Sequence, residues 1–106
     1  MTTHTQRSEQ DWLDKLRSTL TSDFEMQTAR LTQLTADTGD PGEAHTRGAL
    51  IATTRQSLEH ITGALRRIAE GRYGICERCA APIPRERLEV LPHARFCVPC
   101  QQKQPR

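Results

Sequence analysis

Between Ser8 and Ala36 the chain carries neither proline nor glycine, and its large apolar side chains recur at Leu13, Leu16, Leu20, Phe24, Leu31 and Leu34, with Gln27 interposed. Steps of three and four return to one face of a 3.6-residue helix, so the stretch predicts one long helix with a single apolar stripe. A second stripe, Ile51, Thr54, Leu58, Ile61, Leu65 and Ile68, has the alternating three-and-four spacing of a coiled-coil seam with one threonine in it. Between them lies ADTGDPGEA, residues 36 to 44, where two glycines and a proline break the helical pattern. At 1.5 Å per residue each helix would run on the order of 40 Å. A short connection favours an antiparallel hairpin within one chain, because each stripe buries the other; the alternative is a dimer that pairs stripes between chains. Trp12, one residue off the first stripe, is placed to pack under the C-terminal part or to sit half exposed.

The second helix has a readable start and stop. Asp40 suits an N-cap, Pro41 suits the first helical position, and Glu43 stands three residues after the cap, as in a capping box. Gly71, after Glu70, can take the left-handed conformation that ends a helix. Gly48 and Gly63 inside it each cost about 1 kcal/mol relative to alanine, so this helix depends on a partner.

The apolar pattern thins after residue 70, and there all four cysteines fall, Cys76, Cys79, Cys97 and Cys100, spaced C-x2-C-x17-C-x2-C. Four thiolates around one Zn²⁺ need two tight turns that each present two sulfurs, and a connector long enough to bring the turns together. Both are present. Two disulfides or a redox C-x-x-C are the other uses of such pairs, but no export signal is seen and a redox motif does not come as a matched pair. The expected site is therefore structural Zn²⁺ with all four positions taken. It also explains how a segment with little beyond Ile75, Ile83, Leu88, Leu91 and Phe96 to bury can fold, since zinc supplies roughly 10–16 kcal/mol to such sites. His4, His45, His60 and His93 are read as surface residues beside a complete sulfur set. Prolines 82, 84 and 92 stiffen the connector, and the stretch from Pro84 to Leu88 can make one helical turn.

Composition narrows the picture further. With 106 residues, 35% of them hydrophobic, and only one Trp, one Tyr and two Phe, the chain is too short of apolar mass for a large α/β or β-sandwich core. The expected fold is mainly α: an antiparallel coiled-coil helical hairpin over residues 8 to 70 with its tip at 37 to 44, then a four-cysteine zinc-finger module at 71 to 100. Residues 1 to 7 are expected to be a disordered N-terminus and 101 to 106 a short tail. The formal charge is +2 with both signs interspersed, and a zinc-tetrathiolate centre adds two negative charges that cancel it, so the chain as a whole is no electrostatic nucleic-acid binder. The acid is densest at the tip, where Asp37, Asp40 and Glu43 stand without a basic residue. Arg66, Arg67, Arg72, Arg78, Arg85, Arg87 and Arg95 surround the zinc segment, where they are expected to give solubility and offset the negative centre, the alternative being contact with a macromolecular partner or a nucleotide. No apolar run approaches the roughly 20 residues that span a bilayer, and no leader is seen, so the expected location is the cytoplasm.

From Leu65 to Gln101 the chain reads LRRIAEGRYGICERCAAPIPRERLEVLPHARFCVPCQ. Tyr73-Gly74-Ile75-Cys76, the following Cys-Glu-x-Cys, Pro82-Ile83-Pro84, Arg87-Leu88-Glu89, Pro92 and the closing Cys97-x-x-Cys100 resemble the DksA/TraR four-cysteine zinc-finger proteins of bacteria. The motifs cover about a third of the chain; the hairpin matches in architecture. One departure is Ala80, where the family usually has glycine, and alanine tolerates a positive φ poorly. The resemblance implies a transcription regulator that binds core RNA polymerase directly and not promoter DNA. It implies further that the coiled-coil tip enters the secondary channel, where its acidic residues act near the catalytic machinery. In the best-known members the tip reads D-x-x-D-x-A. Here Asp37 and Asp40 supply the two aspartates, Gly42 stands in place of the alanine, and Asp40-Pro41-Gly42-Glu43 offers a second alignment. Guanosine tetraphosphate cooperates with some members; no residue here can be assigned to it. The chain is expected to act as a monomer.

Two other functions fit parts of the pattern. GATA-type DNA-binding fingers share the cysteine spacing, but they need a helix and a basic tail after the last pair, and here only QQKQPR follows. An adaptor that uses zinc only to staple a coiled coil would bind neither polymerase nor DNA. No nucleophile–base constellation or phosphate-cradling glycine loop appears, so no catalysis is expected.

Overall fold

The computed structural model describes residues 2–36 and 39–103, the first six of them by backbone alone. It is mainly α-helical and divides into two compact units, Met1–Thr62 and Gly63–Arg106. The first holds helix α1, Thr2–Ala36, and most of α2, Ala44–Ala69, the two arms of the expected hairpin. Helix α1 is already formed at Thr2, ahead of the Ser8 boundary and within the segment expected to be disordered. The apolar stripe that set that boundary begins only at Leu13, whereas the backbone needs no more than freedom from Pro and Gly to continue.

Among the described residues of this unit Leu20 and Thr54 are buried, and the other stripe positions are mostly half-buried. Phe24 is 39% exposed although it lies on the stripe. A helix with one neighbour buries the centre of its stripe and leaves the flanks open. Thr54 can occupy the seam because its hydroxyl donates to the Leu50 carbonyl at 2.7 Å and so is not left unpaired. Thr21, Thr32, Thr35 and Thr53 make the same bond one turn back, which lets a threonine-rich sequence remain helical.

Helix α2 is preceded by a 3-10 turn, Pro41–Glu43. The Asp40 carboxylate accepts from the Gly42 N–H at 2.9 Å, and the Glu43 N–H goes instead to the Asp40 carbonyl, also at 2.9 Å. Asp40 is thus the cap, but it caps the residue before the one a capping box would engage, because the first turn is wound tighter than α. At the other end Gly71 has φ +74°, and the N–H groups of Arg72 and Gly71 bond the carbonyls of Arg67 and Ile68. That pair of bonds is a Schellman motif.

The second unit contains the last turns of α2, the short helices α3, Arg85–Val90, and α4, Val98–Gln102, and the loops between them. Its core is Ala64 and Ile68 of α2 with Ile83, Leu88 and Ala94. Ile83 and Leu88 are interior as expected, whereas Ile75 and Leu91 are 43% and 38% exposed. The apolar mass that the segment lacks is supplied by the end of α2. Among the described residues no helix is long and apolar enough to cross a membrane.

Candidate metal centre

The first cysteine pair sits on a reversal of the chain. Gly74 takes φ +82°, and its carbonyl accepts from the Ile83 N–H at 2.8 Å. A single antiparallel bridge, Ile75 to Pro82, and the Cys76 N–H to Ala81 carbonyl bond at 2.8 Å close the loop, so Cys76 and Cys79 project from one tight turn. The turn is completed at Ala80, whose N–H reaches the Cys76 carbonyl at 2.9 Å and whose φ is +64°. The left-handed region costs a residue with a Cβ roughly 1–2 kcal/mol, of which glycine would return part in unfolded-state entropy. Ala80→Gly is therefore expected to stabilise the zinc-loaded unit by about 0.5–1 kcal/mol, read as a higher denaturation midpoint; a lower midpoint would refute strain at this knuckle.

The second pair uses a helix start. Cys97 is the N-cap of α4, Pro99 lies in its first turn, and the Gln101 N–H bonds the Cys97 carbonyl at 2.9 Å. Cys100, three residues on, falls on the same face as Cys97.

All four Sγ atoms lie within 4.8 Å of one another, and Cys79 Sγ to Cys97 Sγ is 3.7 Å. Sulfurs at about 2.3 Å from a tetrahedral Zn²⁺ stand about 3.8 Å apart, so the set fits that ion. The same distance is far beyond the roughly 2.05 Å of a disulfide. Cys76 and Cys100 are buried, Cys97 is half-buried and Cys79 faces solvent. Among the described residues no histidine or carboxylate joins this group. Burial resists a charge on Cys76, but the backbone N–H groups of Cys79, Cys97 and Arg78 aimed at its sulfur outweigh it and hold the thiol down at about 6. Cys100 is pushed up to about 12 by its hydrogen bond with Cys97 and by burial. Without metal, Cys100 thus keeps a proton that an ion must displace.

Around the sulfurs the arginines divide. Arg66, Arg72, Arg78, Arg85 and Arg95 are exposed, with Arg72 pairing with Glu70 and Arg95 lying 5.0 Å over the Phe96 ring. Arg87 is half-buried and donates to the Phe96 carbonyl at 3.3 Å. Arg67 is only 6% exposed, which corrects its reading as a solvated surface charge. Its guanidinium donates to the His93 carbonyl at 3.2 Å and pairs with Glu77 at 3.6 Å. Burial draws its pKa below the usual arginine value while Glu77 opposes the shift, and an arginine remains charged in any case. Tyr73 donates its hydroxyl to the Pro92 carbonyl at 2.7 Å, and burial pushes its pKa up to about 12. Of the tip residues, Asp40 and Glu43 are exposed at the start of α2, and Asp37 lies outside the described residues.

Residues 71–106 match the family model of the prokaryotic dksA/traR C4-type zinc finger. The structure of transcription factor DksA2 from Pseudomonas aeruginosa, 27% identical, aligns with 89% of this chain and 78% of its own at a TM-score of 0.55. The RNA polymerase-binding transcription factor DksA of Caulobacter vibrioides is 37% identical over 75 residues, 67% of this chain and 53% of that protein. General stress protein 16O of Bacillus subtilis is 45% identical over 47 residues, 44% of this chain and 29% of that protein. The chain thus spans about half or less of the length of these curated relatives. With its finger matched in sequence and its helices and finger together matched in fold, the chain belongs to the DksA/TraR family of four-cysteine zinc-finger proteins.

Proposed function

We propose that the chain is a transcription regulator that binds RNA polymerase directly, with Cys76, Cys79, Cys97 and Cys100 holding a structural Zn²⁺. The observation that carries the reading is the fold likeness to a transcription factor of the DksA type over 89% of the chain, hairpin and finger together. A tetrathiolate ion has no open position for a substrate, so the metal supplies stability and not chemistry. The working part is then the hairpin: its tip, with Asp40 and Glu43 exposed and Asp37 beside them in sequence, enters the secondary channel and sets negative charge near the catalytic centre. A narrow, low-dielectric channel focuses such charge, which explains why few carboxylates suffice. A polymerase partner places the protein in the cytoplasm, and one chain carries both helices, so a monomer is enough.

The test is a titration of fluorescently labelled, zinc-loaded protein with core RNA polymerase, run beside one with mixed-sequence duplex DNA. Saturable binding to polymerase alone is expected. Binding to DNA alone would transfer the chain to the GATA-like reading. Binding to neither would leave a zinc-stapled coiled coil with another partner.

A further inference from the structure

One charged group in the second unit is buried without being a metal ligand, and its partners straddle the two cysteine pairs. Arg67 lies on the last turn of α2. One nitrogen of its guanidinium faces Glu77, the residue directly after Cys76; another donates to the carbonyl of His93, four residues before Cys97. Glu77 then reaches across by two further bonds. Its carboxylate pairs with Arg95 Nε at 3.3 Å, and its N–H donates to the Arg95 carbonyl at 2.9 Å. A single side chain from the helix therefore grips both limbs of the finger, and the carboxylate it grips joins those limbs to each other. Room for this comes from Gly63, one turn back, where a Cβ would stand only 3.2 Å from the Arg67 guanidinium.

We propose that Arg67 and Glu77 are positioning residues of the zinc centre, which hold the two cysteine pairs at ligand separation and make metal occupancy and the order of the end of α2 depend on one another. This rests on the zinc reading above. The Glu77 side chain is 34% exposed, so solvent screens the pair and it adds little net stability; its value here is geometric. Groups outside the ligand shell that fix ligand orientation are worth about 10–100-fold in metal affinity. The dependence runs both ways, because coupling between two equilibria is reciprocal. If the finger opens, the Arg67 cation loses Glu77 and the His93 carbonyl, and it can regain partners only by leaving the interior for water.

The test uses the full, zinc-loaded chain and follows zinc transfer to a chromogenic chelator together with amide hydrogen exchange. Arg67→Met, which keeps the length and apolar stem, should release zinc about 10–100-fold faster while its helical signal stays near wild type. Glu77→Gln should do the same. Arg67→Lys keeps the charge but not the fork that serves two acceptors, and should fall between Met and wild type. The double variant Arg67→Met, Glu77→Gln should release no faster than the faster single, since both act through one contact. In the wild-type chain, chelation should remove exchange protection at residues 64–69 as well as at 76–100. Wild-type release from a folded Arg67→Met, multiplicative effects in the double variant, or protection at 64–69 that survives chelation would each overturn the proposal. The wild-type exchange experiment decides even if Arg67→Met does not fold. Absence of zinc from the wild-type chain itself would sink the metal assignment, a separate result.

Discussion

Cys76→Ser is expected to strip zinc from the protein and to disorder residues 71–103 together with the end of α2, while most of the helical signal survives. The size of the effect follows from how little else holds that segment. Its own buried apolar side chains amount to Ile83, Leu88 and Ala94, and two of the cysteines are themselves part of the interior. Zinc contributes roughly 10–16 kcal/mol to folding in sites of this kind, more than such a core can replace. Serine is a poor ligand at neutral pH, and it would leave three thiols and a buried hydroxyl where four thiolates are required. Helix α1 and the first part of α2 form the other compact unit, and their backbone bonds do not pass through the metal. The checks are metal content, far-UV circular dichroism and hydrogen exchange. Wild-type metal content in the variant would refute the assignment. Loss of nearly all helix would show instead that the hairpin cannot stand without the finger.

Acid should produce the same state in the wild-type protein. The ligands must be thiolates, so metal affinity is present where the thiols are ionised and falls as pH drops. Cys76, held at about 6 by three backbone N–H groups, is ready to bind near neutrality, whereas Cys100, at about 12, must give up a proton to the ion. Zinc uptake at neutral pH therefore releases protons, and acidification opposes it.

The zinc site and the hairpin were both legible in the sequence for the same reason: each is a spacing rule. Sulfur pairs three positions apart have few geometric uses, and stripes stepping by three and four have only one. Ala80 was legible only through the resemblance, which puts glycine at that position, and the structure has φ at +64° there. Local rules could not reach contacts between distant segments. Arg67 sits one position from Ile68 of the seam, next to another arginine, and nothing nearby distinguishes it from a solvated charge. Its partners are 10 and 26 residues away, and they exist only once the connector has folded back. Ile75 and Leu91 failed in the opposite sense: their apolarity suggested core, but they are 43% and 38% exposed, while Ala64 and Ile68 of α2 are buried.

At the tip, Asp37→Asn combined with Glu43→Gln is expected to leave helix content and polymerase affinity near wild type and to abolish the effect on transcription. The choice of positions comes from separating charge from capping. Asp40 has a structural duty, since its carboxylate holds the Gly42 N–H at 2.9 Å, and removing that oxygen would cost about 1 kcal/mol of helix start. Glu43 has its N–H already bound to the Asp40 carbonyl, so its exposed side chain can lose its charge without opening the turn. Asp40→Asn completes the set, because asparagine caps as well as aspartate and changes only the charge. In the secondary-channel reading, negative charge is what the tip delivers, so the neutral caps should bind and fail to regulate. Gly42, where relatives with the D-x-x-D-x-A tip carry alanine, gives the complementary variant. A Cβ there would meet Asp40 Oδ1 at 3.4 Å, an ordinary contact, so Gly42→Ala should keep the cap and the fold. Loss of helix in the double variant would mean that Asp37 and Glu43 serve the turn alone. Full regulation by a folded double variant would remove the tip carboxylates from the mechanism and move attention to the rest of the hairpin.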